Sequence, residues 1–283
     1  MQSVCTTILL ILFLGSTLRA ADAPYFVTYS HRMEEPGNLE IAFQGTTASP
    51  GGGNRFLSGL LEIEYGVRAW WTSEVYFSGQ NTFGESTLFT GYRWENRFRP
   101  LMREHWINPV LYVEYVDIDG ADKSLKEIVG HDGMADQSEP SAISRLERKR
   151  EIETKLILSS NFKSWNISEN IIAEKNLANE PWEFGYAAAV SRPLALAASP
   201  RPCRLCPENF RLGIELYGGL GTRHEFGLHD TSHYLAPTVA WQMPSGVTLA
   251  VSPSFGLNGN SYPALFRFSL AFEINQFGRG GAR

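Results

Sequence analysis

The sequence predicts an all-β fold: a transmembrane antiparallel up-and-down barrel of about twelve strands, with ten or fourteen as alternatives. Three observations carry this. Apolar and polar residues alternate with period two along most of the chain, as strands with one face of each kind require, and no helical periodicity rivals it. The connections alternate between short and long. Finally, only 19% of the 283 residues are charged while 12% are aromatic, against roughly 25% charged in soluble domains. The 17 Phe, 11 Tyr and 7 Trp exclude disorder. Thirty acidic against 25 basic residues, a net charge of −5, argue against a nucleic-acid binder.

The elements follow in order. Ile8–Leu14 is apolar and is followed by Gly15, Ser16 and Thr17, then Leu18-Arg19-Ala20. It is too short to span a bilayer, which takes about 20 residues, and has the form of a secretory signal peptide over 1–20, cleaved after Ala20. Met1–Thr7 lacks Lys and Arg, so an N-terminal strand or buried helix is the other reading. Residues 21–38 form an N-terminal segment in which Phe26–Met33 looks like a strand. A thirteenth strand breaks the even count of such barrels, so the segment is placed in the periplasm or inside the lumen. The barrel domain is 39–277, with strands at 39–46, 56–66, 70–80, 87–98, 108–117, 150–161, 165–176, 182–193, 210–220, 233–243, 247–257 and 264–275, and 278–283 is a tail. In the second strand Leu57, Leu61, Ile63, Tyr65 and Val67 oppose Ser58, Glu62 and Glu64. In the fourth, Leu88, Tyr92 and Trp94 oppose Arg93, Glu95 and Arg97.

Alternation alone fits a soluble sandwich, with its apolar face hidden, as well as a membrane barrel that shows that face to lipid. The connections favour the barrel. One set (47–55 with Gly51-Gly52-Gly53, 81–86, 118–149, 177–181, 221–232, 258–263) holds the longest insertion. The other (67–69, 100–107, 162–164, 194–209, 244–246) includes three of three residues each. Short periplasmic turns and longer outer loops are the habit of outer-membrane barrels, and both termini then lie on the periplasmic side. Trp70, Trp71, Trp94, Trp106, Trp165 and Trp182 near strand ends fit an interfacial girdle.

Leu61–Val67 followed by Trp70–Phe77 resembles the strand–turn–strand unit of bacterial outer-membrane barrel proteins of uncharacterised, porin- or transporter-like families. Glu151–Phe162 with Trp165–Glu174, and Leu235–Val239 after a His-bearing loop, are similar to the same group. The resemblance implies export to the outer membrane of a Gram-negative cell, contact with its lipid and lipopolysaccharide, and handling by the barrel-insertion machinery. Such barrels end on an aromatic residue in the last strand, whereas here Phe277 is followed by Gly278–Arg283.

The polar face carries the chemistry. Turned inward, it lines a lumen with Glu62, Glu64, Glu74, Glu95, Glu114, Glu151, Glu153, Glu174, Glu183, Glu215 and Glu273, against Arg93, Arg97, Lys155, Arg211 and Arg267. That surplus of carboxylates favours cations over anions. The expectation is a channel for small cationic or neutral solutes. The alternatives are a packed interior of Arg–Glu networks and a non-conducting barrel that adheres, senses or supports through loop 118–149. Glu169 points toward lipid in this register. His224, His229 and His233 lie in one outer loop, a weak candidate set for a transition metal and otherwise a polar loop. Cys203 and Cys206, a lone C-x-x-C in an oxidising compartment, predict a local disulfide. Arg148-Lys149-Arg150 meets lipopolysaccharide phosphates or is a solvated strand end. No Ser–His pair with an acid or amide support shares a strand parity, and no catalytic or phosphate-binding motif occurs, so neither enzyme activity nor a cofactor is expected.

Overall fold

The computed structural model describes residues 24–48, 53–124, 128–131, 139–178, 180–199, 201 and 203–277. The signal peptide, the Ala20 cleavage point, Gly51, Gly52, the 278–283 tail and part of loop 118–149 lie outside them.

Twelve antiparallel strands close into a barrel: β1 (Leu39–Ala48), β2 (Phe56–Arg68), β3 (Trp71–Thr82), β4 (Ser86–Phe98), β5 (Asn108–Asp119), β6 (Arg148–Phe162), β7 (Trp165–Asn176), β8 (Trp182–Pro193), β9 (Phe210–Thr222), β10 (His233–Gln242), β11 (Val247–Gly256) and β12 (Ala264–Ile274). Each pairs with its sequence neighbours, and β1 pairs with β12. Ten and fourteen strands are thereby excluded. Among the described residues no helix is long and apolar enough to cross a membrane.

The barrel is built inside out. Its exposed large side chains include Ile41, Phe43, Leu61, Phe77, Leu111, Ile171, Ile214, Val251 and Leu270, while Glu74, Glu95, Glu114 and Arg267 are buried. A soluble sandwich hides the first group and wets the second, so the arrangement suits lipid outside and a polar lumen within. Aromatic side chains cluster at the end that carries the short turns: Trp70, Trp71 and Phe98 stack on one another, Trp106 meets Phe162, and Phe210 stacks on Trp241.

One register differs from the simple alternation. Leu88 pairs with Gln80, and Ser78 with Gly91, across a shift between Ser78 and Gly79. The bulge reverses the parity of β4, so Leu88 lies opposite an inward-facing residue and Phe89, 64% exposed, takes the outward place. Gly91 permits it: at φ +152° a Cβ there would meet the Asp117 carbonyl at 2.2 Å. Glu169, between exposed Ile167 and Ile171, does face outward.

Candidate functional site

The inward side chains form a continuous charged feature that strand register makes visible. Glu273 pairs with Glu40, Glu40 with Glu64, Glu64 with Glu74, and Glu74 with Glu95. The series continues from Glu95 to Glu114, Glu153, Glu174 and Glu183. Nine glutamates thus stand directly opposite one another on nine consecutive strands, β12 and then β1 to β8. Strands sit about 4.8 Å apart and tilt about 40° in such barrels, so each step climbs about 3 Å and eight steps climb about 25 Å. Glu273 and Glu40 lie at the end of the barrel that bears the short turns, and Glu183 at the other. The row is therefore a ramp from mouth to mouth.

Like charges directly opposite repel, and the middle of the ramp carries its cations close by. Arg97 bonds Glu64 and reaches Glu74 at 3.3 Å and Glu95 at 3.0 Å. Arg93 lies 3.9 Å from Glu114, and Lys155 3.0 Å from Glu153. Of the other lumen residues expected from sequence, Glu62 accepts a bond from Gln44 beside the ramp, Glu151 accepts one from Asn176, and Arg267 lies over the Tyr217 ring. Glu215 stands apart on β9 with a different occupant.

That occupant is the N-terminal segment. Residues 26–33 join no sheet. They lie inside the barrel, where the amides of Phe26, Val27 and Thr28 donate to the Glu215 carboxylate at 2.8, 2.9 and 2.8 Å. Asn170 both accepts from the Tyr29 amide and donates to its carbonyl. The Tyr29 hydroxyl donates to Glu95 at 2.9 Å, and its ring lies 4.4 Å from Lys155 Nζ. The segment thus crosses the ramp at its centre.

The long outer loop enters from the other mouth. Ile128 packs with Phe26, Val27, Phe56, Tyr217, Tyr234 and Leu265 in one apolar cluster. Gly130 lies against Glu183 at the top of the ramp, where an added Cβ would meet the carboxylate carbon at 2.5 Å. The lumen consequently has an acidic wall on β12 and β1–β8 and an apolar patch centred on β9 and β10, packed by segment and loop together. The alternation did not reveal the apolar patch, because β9 and β10 carry Tyr217, Tyr234 and Ala236 on the inward face as well as apolar residues outside.

The structure also assembles a Ser–His–acid contact that no strand parity shows, because its His lies on the N-terminal segment. His31 Nδ1 is 2.8 Å from Ser159 Oγ, and its Nε2 is 3.2 Å from Glu104. Ser159 Oγ also meets Ser168 at 2.8 Å and accepts from Asn166 at 3.2 Å, and the residue is 2% exposed. An attacking hydroxyl must reach a substrate carbon, and this one is enclosed by three partners, so the contact is a latch holding the segment.

Among the described residues, the histidines of the outer loop do not join in a set of three ligand atoms within 4.8 Å of one another. His233 binds Tyr186 and Thr231, while His224 accepts from Arg223. Among the described residues, the trio that brings three ligand atoms within 4.8 Å of one another is Glu40, Glu62 and Glu64. Cys203 and Cys206 are joined, with Cα atoms 5.3 Å apart. Arg148 and Arg150 lie 2.6 and 3.7 Å from Asp117 at the outer rim.

No family model matches the sequence, and no curated protein matches it. Solved structures do. The COG4313 outer membrane channel from Pseudomonas putida F1 superposes with a TM-score of 0.54 at 9% identity, over 90% of this chain and all of that one. The chain has the fold of the outer-membrane porins and channels. The KdgM porin, solved with disordered oligogalacturonate, gives 0.50 at 5% identity over 84% of this chain and 99% of its own. The NanC porin gives 0.50 at 9% identity over 83% and 100%.

Proposed function

We propose that the chain is a channel of the bacterial outer membrane for small cationic or neutral solutes, closed in this conformation by its N-terminal segment and outer loop. The glutamate ramp carries the proposal. A structural interior has no need of nine like charges in register from one mouth to the other, whereas a cation path gains from each of them. The exposed apolar band and aromatic girdle support residence among outer-membrane lipid and lipopolysaccharide, and a barrel of this kind reaches that membrane through the insertion machinery. The test is single-channel recording of the refolded full chain in a salt gradient. Cation-selective openings are expected, and an absence of openings at any voltage overturns the proposal.

A second reading has its own observation. Segment and loop share one apolar cluster through Phe26, Val27 and Ile128, so the lumen is packed like a core. On that reading the barrel does not conduct, and it adheres, senses or supports through loop 118–149. Absent openings combined with a loop that resists protease would favour it.

A further inference from the structure

The polar grip on residues 26–29 falls mainly on the main chain. Three consecutive amides converge on Glu215, and Asn170 meets both the N–H and the C=O of Tyr29, at 2.6 and 2.9 Å, much as a neighbouring strand would. None of these five bonds depends on the identity of the side chain held. The side chains have seats as well: Phe26 and Val27 pack in the apolar cluster with Ile128, and the Tyr29 ring lies over Lys155 with its hydroxyl on Glu95. Glu215 and Asn170 are each 1% exposed, and a carboxylate or carboxamide buried there is costly without its partners. When the segment leaves, lumen water reaches both groups, and a ligand that brings consecutive main-chain N–H groups in the bent course of Phe26 and Val27 restores the same bonds. A short peptide supplies that pattern, and an ammonium group or basic side chain on it is favoured by the acidic ramp alongside.

We infer that the lumen is a binding site for short peptides and that residues 26–29 occupy it as a resident mimic. The inference rests on the channel reading for its role in transport. The experiment uses the full chain carrying Tyr29→Ala and His31→Ala, which removes the Tyr29 seat and the His31 latch so that only main-chain bonds and the Phe26–Val27 packing compete with added peptide, with heat-modifiable gel migration to verify the closed barrel. Tetra-alanine should block its openings in planar bilayers, and maltose at equal concentration should not. Adding Glu215→Gln and Asn170→Ala should weaken the peptide block by about tenfold or more, as the loss of charge-assisted and amide hydrogen bonds implies. Intrinsic fluorescence titration with tetra-alanine in detergent gives the binding readout independently of current. Openings that tetra-alanine leaves unblocked, or that maltose blocks equally, overturn the peptide site and leave the channel standing. Tetra-alanine binding without openings upholds the site and overturns the channel, and neither binding nor openings overturns both.

Discussion

Replacing Glu40, Glu62 and Glu273 together with Gln tests the ramp where it starts. These three lie at one mouth, and their partners tolerate the change: Gln44 donates to Glu62 and Asn38 to Glu273, and a Gln carbonyl accepts equally well. The ligand oxygens of Glu40, Glu62 and Glu64 approach within 4.8 Å of one another, so an entering cation feels several charges at once. At about 6 Å from each carboxylate in a water-filled lumen, the attraction is about 0.7 kcal/mol per charge. At 0.1 M salt, with a screening length of about 10 Å, this falls to about 0.4 kcal/mol. Three charges then give about 1.1 kcal/mol, or about sevenfold in cation occupancy, and at 0.01 M about eighteenfold. The assay is the reversal potential of open channels across a salt gradient at both ionic strengths. The triple variant should lose cation preference by these factors, with the larger loss at low salt. A reversal potential that stays put, or a loss independent of salt, would show that the three carboxylates do not face the conducting path.

Arg97→Ala leaves Glu64, Glu74 and Glu95 together in a buried place; breaking such a contact costs on the order of 3–5 kcal/mol, visible as a lower urea midpoint for the refolded barrel, and an unchanged midpoint would mean that water already reaches the cluster. Burial holds His31 below the ordinary imidazole range, with Glu104 opposing. The docked segment therefore binds fewer protons than the released one, so docking is strongest above the ordinary value near 6.5 and weakens as the pH falls below it. Channel openings should become more frequent on acidification, and His31→Gln should flatten that profile. Gly219→Val places a side chain where an added Cβ already meets the Gly130 carbonyl at 2.1 Å. It should expel the loop from the outer mouth and speed trypsin cleavage at Lys123, which is 4% exposed in the native barrel; equal cleavage rates would show that the loop docks by other contacts.

Much of the barrel was legible because strand periodicity and hairpin geometry are local. The two-residue connection between Arg68 and Trp71 brings Glu64 opposite Glu74 with little freedom, since a slip of one residue would turn every apolar side chain inward. Long connections hide register: nothing between Glu114 and Glu153 in the sequence says that they face each other, because loop 118–149 imposes no fixed offset. The bulge at Gly91 was invisible for a different reason, since the parity of Leu88 is set by where β4 breaks and not by hydropathy. Residues 26–33 alternate like a strand but find no edge to join in a closed barrel, and their amides turn to Glu215 and Asn170 instead. The latch among His31, Ser159 and Glu104 joins positions up to 128 residues apart, beyond any local pattern.

The two halves of the interior answer different physical demands. On β9 and β10 the inward residues include Tyr217, Tyr234 and Ala236, which pack against segment and loop as an ordinary core does. The same chain could have filled its other wall in this manner, and apolar replacements for buried ion pairs are often neutral or stabilising. It holds a row of glutamates there instead, with Arg97, Arg93 and Lys155 placed at its centre, where the side chains are most deeply buried. Toward the ends Glu40, Glu273 and Glu183 are only partly buried. A row of carboxylates held by fixed cations at its centre is costly to keep dry. The segment that crosses it engages the same groups, Tyr29 lying on Lys155 and bonding Glu95. Withdrawing Tyr29 therefore exposes the centre of the ramp, and opening the passage and wetting its charged wall become one event.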